Sequence, residues 1–218
     1  MCGRYTLAAE PDELLETFDV PELRFDYRPR YNIAPGQDAP VVAEDRRGRR
    51  IGLLTWGLVP AWREEPGSGI VNARAESVAL RPSFREAFAR RRCLLPADGF
   101  YEWRREGEVK VPYWYRPAGG GLLAFAGVWE RWTRPGHDAR HTFTVLTTAA
   151  NEDVRPIHDR MPALVTRDAW DSWLDVGTGM DALRAALRPA EAGTLAAHPV
   201  STRVNRTSED DPSLIGPA

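Results

Sequence analysis

The stretch RCLLPADGFYEWRREGEVKVPYWYRPAGGGLLAFAGVWE, residues 92–130, decides the fold. Four runs rich in apolar and aromatic residues lie in it, at 93–97, 99–104, 109–116 and 122–130. Asp98-Gly99, then REGE and then AGGG separate them. Short β-prone runs joined by Gly-containing turns at this spacing predict consecutive antiparallel strands. A further strand is predicted at 141–149, and strands at 41–44 and 51–58 flank the charged turn EDRRGRR. Helices are expected at 10–18, with Pro11 and Asp12 in the first turn, at 83–91, and late in the chain near 168–174 and 180–187. In the second of these Ser83 is the expected cap, with Glu86 three residues on. RPRYNIAPGQ, residues 28–37, carries two Pro and a Gly and reads as irregular. Many strands at hairpin spacing with few helices specify an α+β fold with a curved antiparallel sheet, read as one domain over 1–218.

The 218 residues are 43% hydrophobic, with eight Trp, six Tyr and seven Phe, enough apolar material for a substantial core. No run reaches the ~18 apolar residues of a membrane span, and the N-terminus lacks the apolar segment of a signal peptide. A soluble cytoplasmic protein is expected. Two cysteines and four scattered histidines argue against a disulfide framework and against a zinc cluster, so no metal is expected. Net charge is −2, which gives no global attraction to nucleic acid. Of 29 basic residues, 28 are Arg and only Lys110 is Lys, a bias that codon usage explains. Its chemical consequence is that primary amines are confined to Lys110 and the chain terminus.

Four segments are rich in reactive side chains. In MCGR a Met precedes a small residue, the pattern accepted for Met removal, so Cys2 is a candidate new terminus. A terminal Cys offers an α-amine of pKa about 7.7–8.0 and a thiol two carbons away, which together convert an aldehyde to a thiazolidine. Cys is also among the most buried residue types, so a packing role competes. In VNARAES, residues 71–77, Asn72, Arg74 and Glu76 alternate and share a face if extended. In RCLLPADGFYEW, Glu102 sits between Tyr101 and Trp103, a setting that desolvates a carboxylate or else a solvent-facing position between core aromatics. In PIHDRMPALV, residues 156–165, His158, Asp159 and Arg160 lie between prolines, with His158 suited to proton transfer at neutral pH. His137, His141 and His198 lie in less distinctive surroundings, and Cys93, Trp129, Trp132, Trp170 and Trp173 are read as packing residues.

Together and in order, MCGRYTL, RYNIAPGQ at 30–37, WGLVPAW at 56–62, NARAES at 72–77, RCLLPADGFYEW, FAGVWE at 125–130, IHDRMP at 157–162 and HPVSTRVN at 198–205 resemble the SOS-response-associated peptidase family. That family consists of proteins that crosslink themselves to abasic sites in single-stranded DNA. The resemblance implies a curved, barrel-like, mostly antiparallel sheet with peripheral helices, and a monomer that needs no cofactor. Its catalytic positions fall on Cys2, Asn72, Glu102 and His158. Its DNA-contacting positions fall on Arg4, Asn32, Pro35, Trp62, Arg74 and Arg160. The implied partner is single-stranded or gapped DNA containing abasic sites, met in the cytoplasm and at the nucleoid once bound. This chain departs from the pattern at Arg63, where some members carry a second aromatic, and in the short acidic loop REEPGSG at 63–69.

By the same resemblance, Glu102 and His158 form the acid/base pair, with His158 opening the sugar ring. Asn72 holds the Cys2 amine for attack on C1′, and the thiol then closes the thiazolidine. Removal of Met1 is expected as an associated autoproteolysis. Two other readings stand beside this one: a peptidase with Cys2 as N-terminal nucleophile and His158 as base, and a noncatalytic single-strand binder.

Overall fold

The computed structural model describes residues 2–218. Its strands are β1 (Tyr5–Leu7), β2 (Arg30–Ile33), β3 (Asp38–Asp45), β4 (Gly48–Trp56), β5 (Asn72–Arg74), β6 (Arg92–Ala97), β7 (Gly99–Glu106), β8 (Val109–Pro117), β9 (Leu123–Trp132), β10 (Arg140–Ala149), β11 (Arg160–Pro162) and β12 (Leu195–Pro199). Its α-helices are α1 (Pro11–Phe18), α2 (Arg85–Arg90), α3 (Trp170–Leu174) and α4 (Met180–Ala186). Short 3-10 turns occur at Arg167–Ala169, Thr202–Asn205 and Pro212–Ile215.

The decisive stretch folds into β6 to β9 as its β-prone runs and glycine turns predict, but the strands divide between two sheets. One has the order β12-β8-β7-β1-β2. The other runs β11-β10-β4-β3-β6-β9, and an added β9–β10 pairing closes β10, β4, β3, β6 and β9 into a ring. Pairing is antiparallel throughout, except where β10 takes β4 and then β5 in parallel. The α+β class and the barrel-like, mostly antiparallel sheet are therefore as expected. No helix among the described residues is long and apolar enough to cross a membrane.

Four local expectations are corrected. Residues 28–37 are not wholly irregular: β2 forms inside them and pairs with β1 through a register shift. Pro29 and Pro35 bracket that strand, which hid a four-residue run. Ser83 does not cap α2, whose first residue is Arg85 and which has no side-chain cap. The chain is already turning there, and Arg81 O takes the amides of both Phe84 and Arg85. The motif around Asn72 is extended only as far as Arg74, and Glu76 lies in the turn that follows. Finally, AGGG does not join a hairpin, because β8 and β9 lie in different sheets; the chain crosses between the sheets a second time at a corner, Asp98-Gly99.

That corner is the joint of the fold. Asp98 accepts hydrogen bonds from Thr6 Oγ1 and from the amide of Ala8, tying β1 to the bend. Trp114 Nε1 donates to Thr6 Oγ1 at 3.1 Å. Gly99 is required by close approach: a Cβ there would lie 2.3 Å from Trp114 Nε1 and 2.5 Å from the carbonyl oxygen of Tyr115. Inside, Tyr5 meets Trp56 edge-on at 5.3 Å and Phe125 at 5.8 Å, contacts that join the first strand to the closed ring.

The helices lie outside. Phe18 of α1 stacks on Trp170 of α3 at 4.6 Å. Buried Arg92 donates to Phe88 O and Ala89 O in α2 and to Trp173 O in α3, at 2.6, 3.0 and 2.6 Å. One guanidinium thus satisfies carbonyls at the ends of two helices that have no further turn to receive them. Cys93, Trp132, Trp170 and Trp173 are buried and Trp129 half-buried, in line with packing roles.

Gly99→Ala is expected to cost about 1–3 kcal/mol by forcing Trp114 or the β8 backbone to move, read as a lower urea midpoint. An unchanged midpoint would mean that the corner has room to spare.

Candidate active site

Residues 2–4 continue the line of β1 beside β7, with Arg4 O accepting from the amide of Tyr101 at 3.0 Å. This antiparallel run carries Cys2 toward the Glu102 end of β7. Cys2 is completely buried. Its carbonyl accepts from Asn72 Nδ2 at 2.8 Å, and its Sγ lies 3.9 Å from Arg4 O. Burial raises the thiol's pKa far above the ordinary value, and the charge of Glu102 adds to the effect.

Asn72 opens β5 opposite Val145 of β10, so its place is set by a parallel pairing of distant segments. A carbonyl can only accept, which fixes the amide NH2 on Cys2 O. Asn72 Oδ1 is buried and has no hydrogen-bond partner among the described residues. Asn72 therefore grips Cys2 through its carbonyl, with the oxygen that suits an amine donor left over.

Glu102 lies on β7 opposite Tyr113 and is 2% exposed. Burial pushes its carboxyl up to about 7, and negative Asp159 adds to the shift. A group at that value exchanges protons readily near neutrality. His158 follows a run of turns, its amide bonded to Val154 O at 3.0 Å. Its Nδ1 is 2.9 Å from the amide of Arg160, which donates to it, and 3.0 Å from Asp159 Oδ1. The two contacts ask for opposite states of that nitrogen. Burial lowers the imidazole pKa, so the neutral ring and the backbone bond prevail, with the proton on Nε2.

Glu102 and His158 line a cleft of about 420 Å³ together with Trp103, Lys110 and Asn205. The last three were not singled out as site residues from the sequence. Their signals were present: Lys110 is the one lysine and Asn205 ends the HPVSTRVN motif. Among the described residues, no group of three or more His, Cys, Asp or Glu is placed to hold a metal ion.

The six DNA-contact candidates divide into two sets. Pro35 is exposed at the turn closed by Gln37 N on Ala34 O, where Gly36 supplies a φ of 84°. Trp62 is 60% exposed and Arg74 is exposed. The other three are engaged within the protein. Asn32 is completely buried, accepting from Arg4 Nη1 at 2.9 Å and donating to Val204 O, Arg206 O and Glu209 O. Arg4 also donates to Val204 O at 2.6 Å and to Asn205 O at 3.4 Å. Arg160 grips Glu76 with both terminal nitrogens, at 2.6 and 2.9 Å, and also donates to Thr147 O. The departing residue Arg63 folds back to Pro66 O at 3.3 Å within its own loop.

The profile described as SOS response associated peptidase (SRAP) matches residues 1–207. The abasic site processing protein YoqW of Bacillus subtilis is 39% identical over 99% of this chain and 99% of its own length. The abasic site processing protein HMCES of Gallus gallus is 34% identical over 88% of this chain and 67% of its own. A crystal structure of a protein from Bacteroides thetaiotaomicron has the same fold, with a TM-score of 0.90 at 22% identity and 100% of both chains covered.

The raised Glu102 carboxyl makes stability depend on pH with a definite sign. Between the ordinary 4.5 and about 7 the folded chain keeps a proton that the unfolded chain has released. Stability from this group is therefore full below pH 4.5 and is lost as pH rises through 7. Glu102→Gln should unfold at a higher urea midpoint than wild type at pH 8, by about 1–3 kcal/mol. The gap should close as pH falls toward 4.5. A gap independent of pH would contradict the assignment.

Proposed function

Since the chain belongs to the SOS response associated peptidase family, we propose that it captures abasic sites in single-stranded DNA as a covalent thiazolidine on Cys2 after Met1 has been removed. The observation that carries this reading is a buried carboxyl held near neutrality, Glu102, at a buried Cys2 whose carbonyl Asn72 grips. The names of the relatives, abasic site processing proteins, supply the lesion.

In the proposed sequence His158 assists opening of the hemiacetal to the C1′ aldehyde. The Cys2 amine, taken by Asn72 Oδ1, adds to C1′. Glu102 protonates the departing hydroxyl, which leaves as water to give the imine. The thiol then adds across C=N, sulfur bonding to C1′ and its proton passing to nitrogen. Closing the ring removes the imine that would otherwise permit β-elimination and strand cleavage. Met1 leaves by autoproteolysis at the same site. Trp62, Pro35 and Arg74 are the outward groups proposed to meet the strand, with stacking on Trp62 worth about 1–3 kcal/mol. The unit proposed is a monomeric single domain in the cytoplasm, at the nucleoid while bound.

The peptidase reading needs a Cys2 thiolate with His158 as its base. Burial and the Glu102 charge both oppose a thiolate, so that reading ranks below crosslinking.

One gel tests the proposal, using mature chain and single-stranded DNA with one abasic site. Wild type should form a stable adduct without reductant. Cys2→Ala should form one only with borohydride, mapping to the terminal amine and not to Lys110, and should nick the strand. Glu102→Gln should slow adduct formation by about 10²–10⁴-fold. A reductant-independent adduct of Cys2→Ala at the wild-type level would overturn the mechanism.

Trp62→Ala should weaken binding of the intact single strand by about 1–3 kcal/mol, and single strand should be preferred to duplex. Equal binding of both by wild type would contradict the proposed substrate.

A further inference from the structure

The cleft holds two groups that the proposed chemistry does not use, Lys110 and Asn205. Trp103 Nε1 lies 2.8 Å from the Asn205 amide and donates to its Oδ1. An indole N–H has no accepting capacity, so the amide oxygen must face it. The Asn205 NH2 therefore turns away from Trp103, presenting two donors on the cleft wall.

Asn205 is also held in place by its backbone. Arg4 donates to its carbonyl at 3.4 Å and to the carbonyl of Val204 at 2.6 Å, while Asn32 Nδ2 donates to Val204 O at 3.2 Å. Lys110 enters from β8 and is exposed. An ammonium and an amide NH2 offer donors and no acceptor between them. A sugar hydroxyl needs both kinds of partner, whereas a phosphodiester at neutral pH offers only acceptors and a charge.

We propose that Lys110 and Asn205 seat a backbone phosphate of the strand beside the abasic sugar, positioning that sugar against Glu102 and His158. The inference rests on the abasic-DNA reading above and adds the anchor that sets the register of the strand in the cleft. Trp103 closes the wall and orients Asn205 without contacting the phosphate through its N–H.

The test uses the full mature chain and a single strand carrying a tetrahydrofuran analogue, which binds without reacting. Affinity is followed by anisotropy from low to moderate salt. Lys110→Met should weaken binding and flatten the slope of log K against log salt by about 0.7, one phosphate's worth for a single strand. Lys110→Arg should restore both. Asn205→Asp keeps an acceptor for Trp103 Nε1 but removes the donors and adds a like charge, so affinity should fall by about tenfold or more. Thermal unfolding of each variant, expected at the wild-type temperature, checks that the wall is intact.

Wild-type affinity and slope in both Lys110→Met and Asn205→Asp would overturn the phosphate seat. So would a loss of affinity in Lys110→Met with the slope unchanged. If wild type reacts with abasic DNA while these variants bind normally, only the seat fails. If wild type shows neither binding nor adduct, the functional reading fails with it.

Discussion

Cys2 is completely buried, and segments far from it in sequence supply the contacts that hold it there. The 2.8 Å hydrogen bond from Asn72 Nδ2 to the Cys2 carbonyl is the most direct of these supports. It depends on β5 running parallel to β10, a pairing of segments about seventy residues apart in sequence. Behind Cys2, Arg4 is fixed on both sides, its carbonyl by Tyr101 of β7 and its guanidinium by Asn32 and the carbonyls of Val204 and Asn205. The corner at Asp98-Gly99 then sets β7 against β1, and with it the distance from Cys2 to Glu102. Loss of any of these pairings would loosen the hold on Cys2.

Burial gives the site a single electrostatic character. It raises the Cys2 thiol and the Glu102 carboxyl and lowers the His158 imidazole, so each shift favours the uncharged form. An environment that favours uncharged forms opposes chemistry beginning from a thiolate–imidazolium pair. It suits chemistry in which a neutral amine attacks and protons are handed over one at a time. Glu102 moves to a value where both of its forms are populated near neutrality, which is what a group that gives and then takes a proton requires.

The long strands were legible because they are runs of apolar and aromatic residues bounded mostly by glycine-containing turns, and β6 to β10 fall within a few residues of expectation. The short strands were not. β2, β11 and β12 have three to five residues each, and all three hold or adjoin a proline that reads as a break. Periodicity needs more residues than that to stand out. The parallel contacts of β10 were illegible for another reason, since no local pattern records which distant segment fills an edge. Among the candidate site residues, the aromatic neighbours of Glu102 left a desolvated and a solvent-facing carboxylate both open, and its burial is that of the first. Asn32 gave no sign of burial: an asparagine in a Pro- and Gly-rich segment looks solvated, yet it donates to three carbonyls of the C-terminal segment in the core.

That division bears on how a strand of DNA would be held. With a net charge of −2, attraction must come from a few local cations. Arg160 is already paired in a two-point contact with Glu76, whose carboxyl it holds below its ordinary value. A phosphate reaching Arg160 would exchange one anion for another and return Glu76 to water, so the net gain is a difference between two similar contacts. Arg74 is exposed and Lys110 stands in the cleft, so a phosphate meeting either adds a new contact outright. On the proposed reading, affinity would therefore follow those two cations, while Arg4, Asn32 and Arg160 govern the shape of the surface the strand meets.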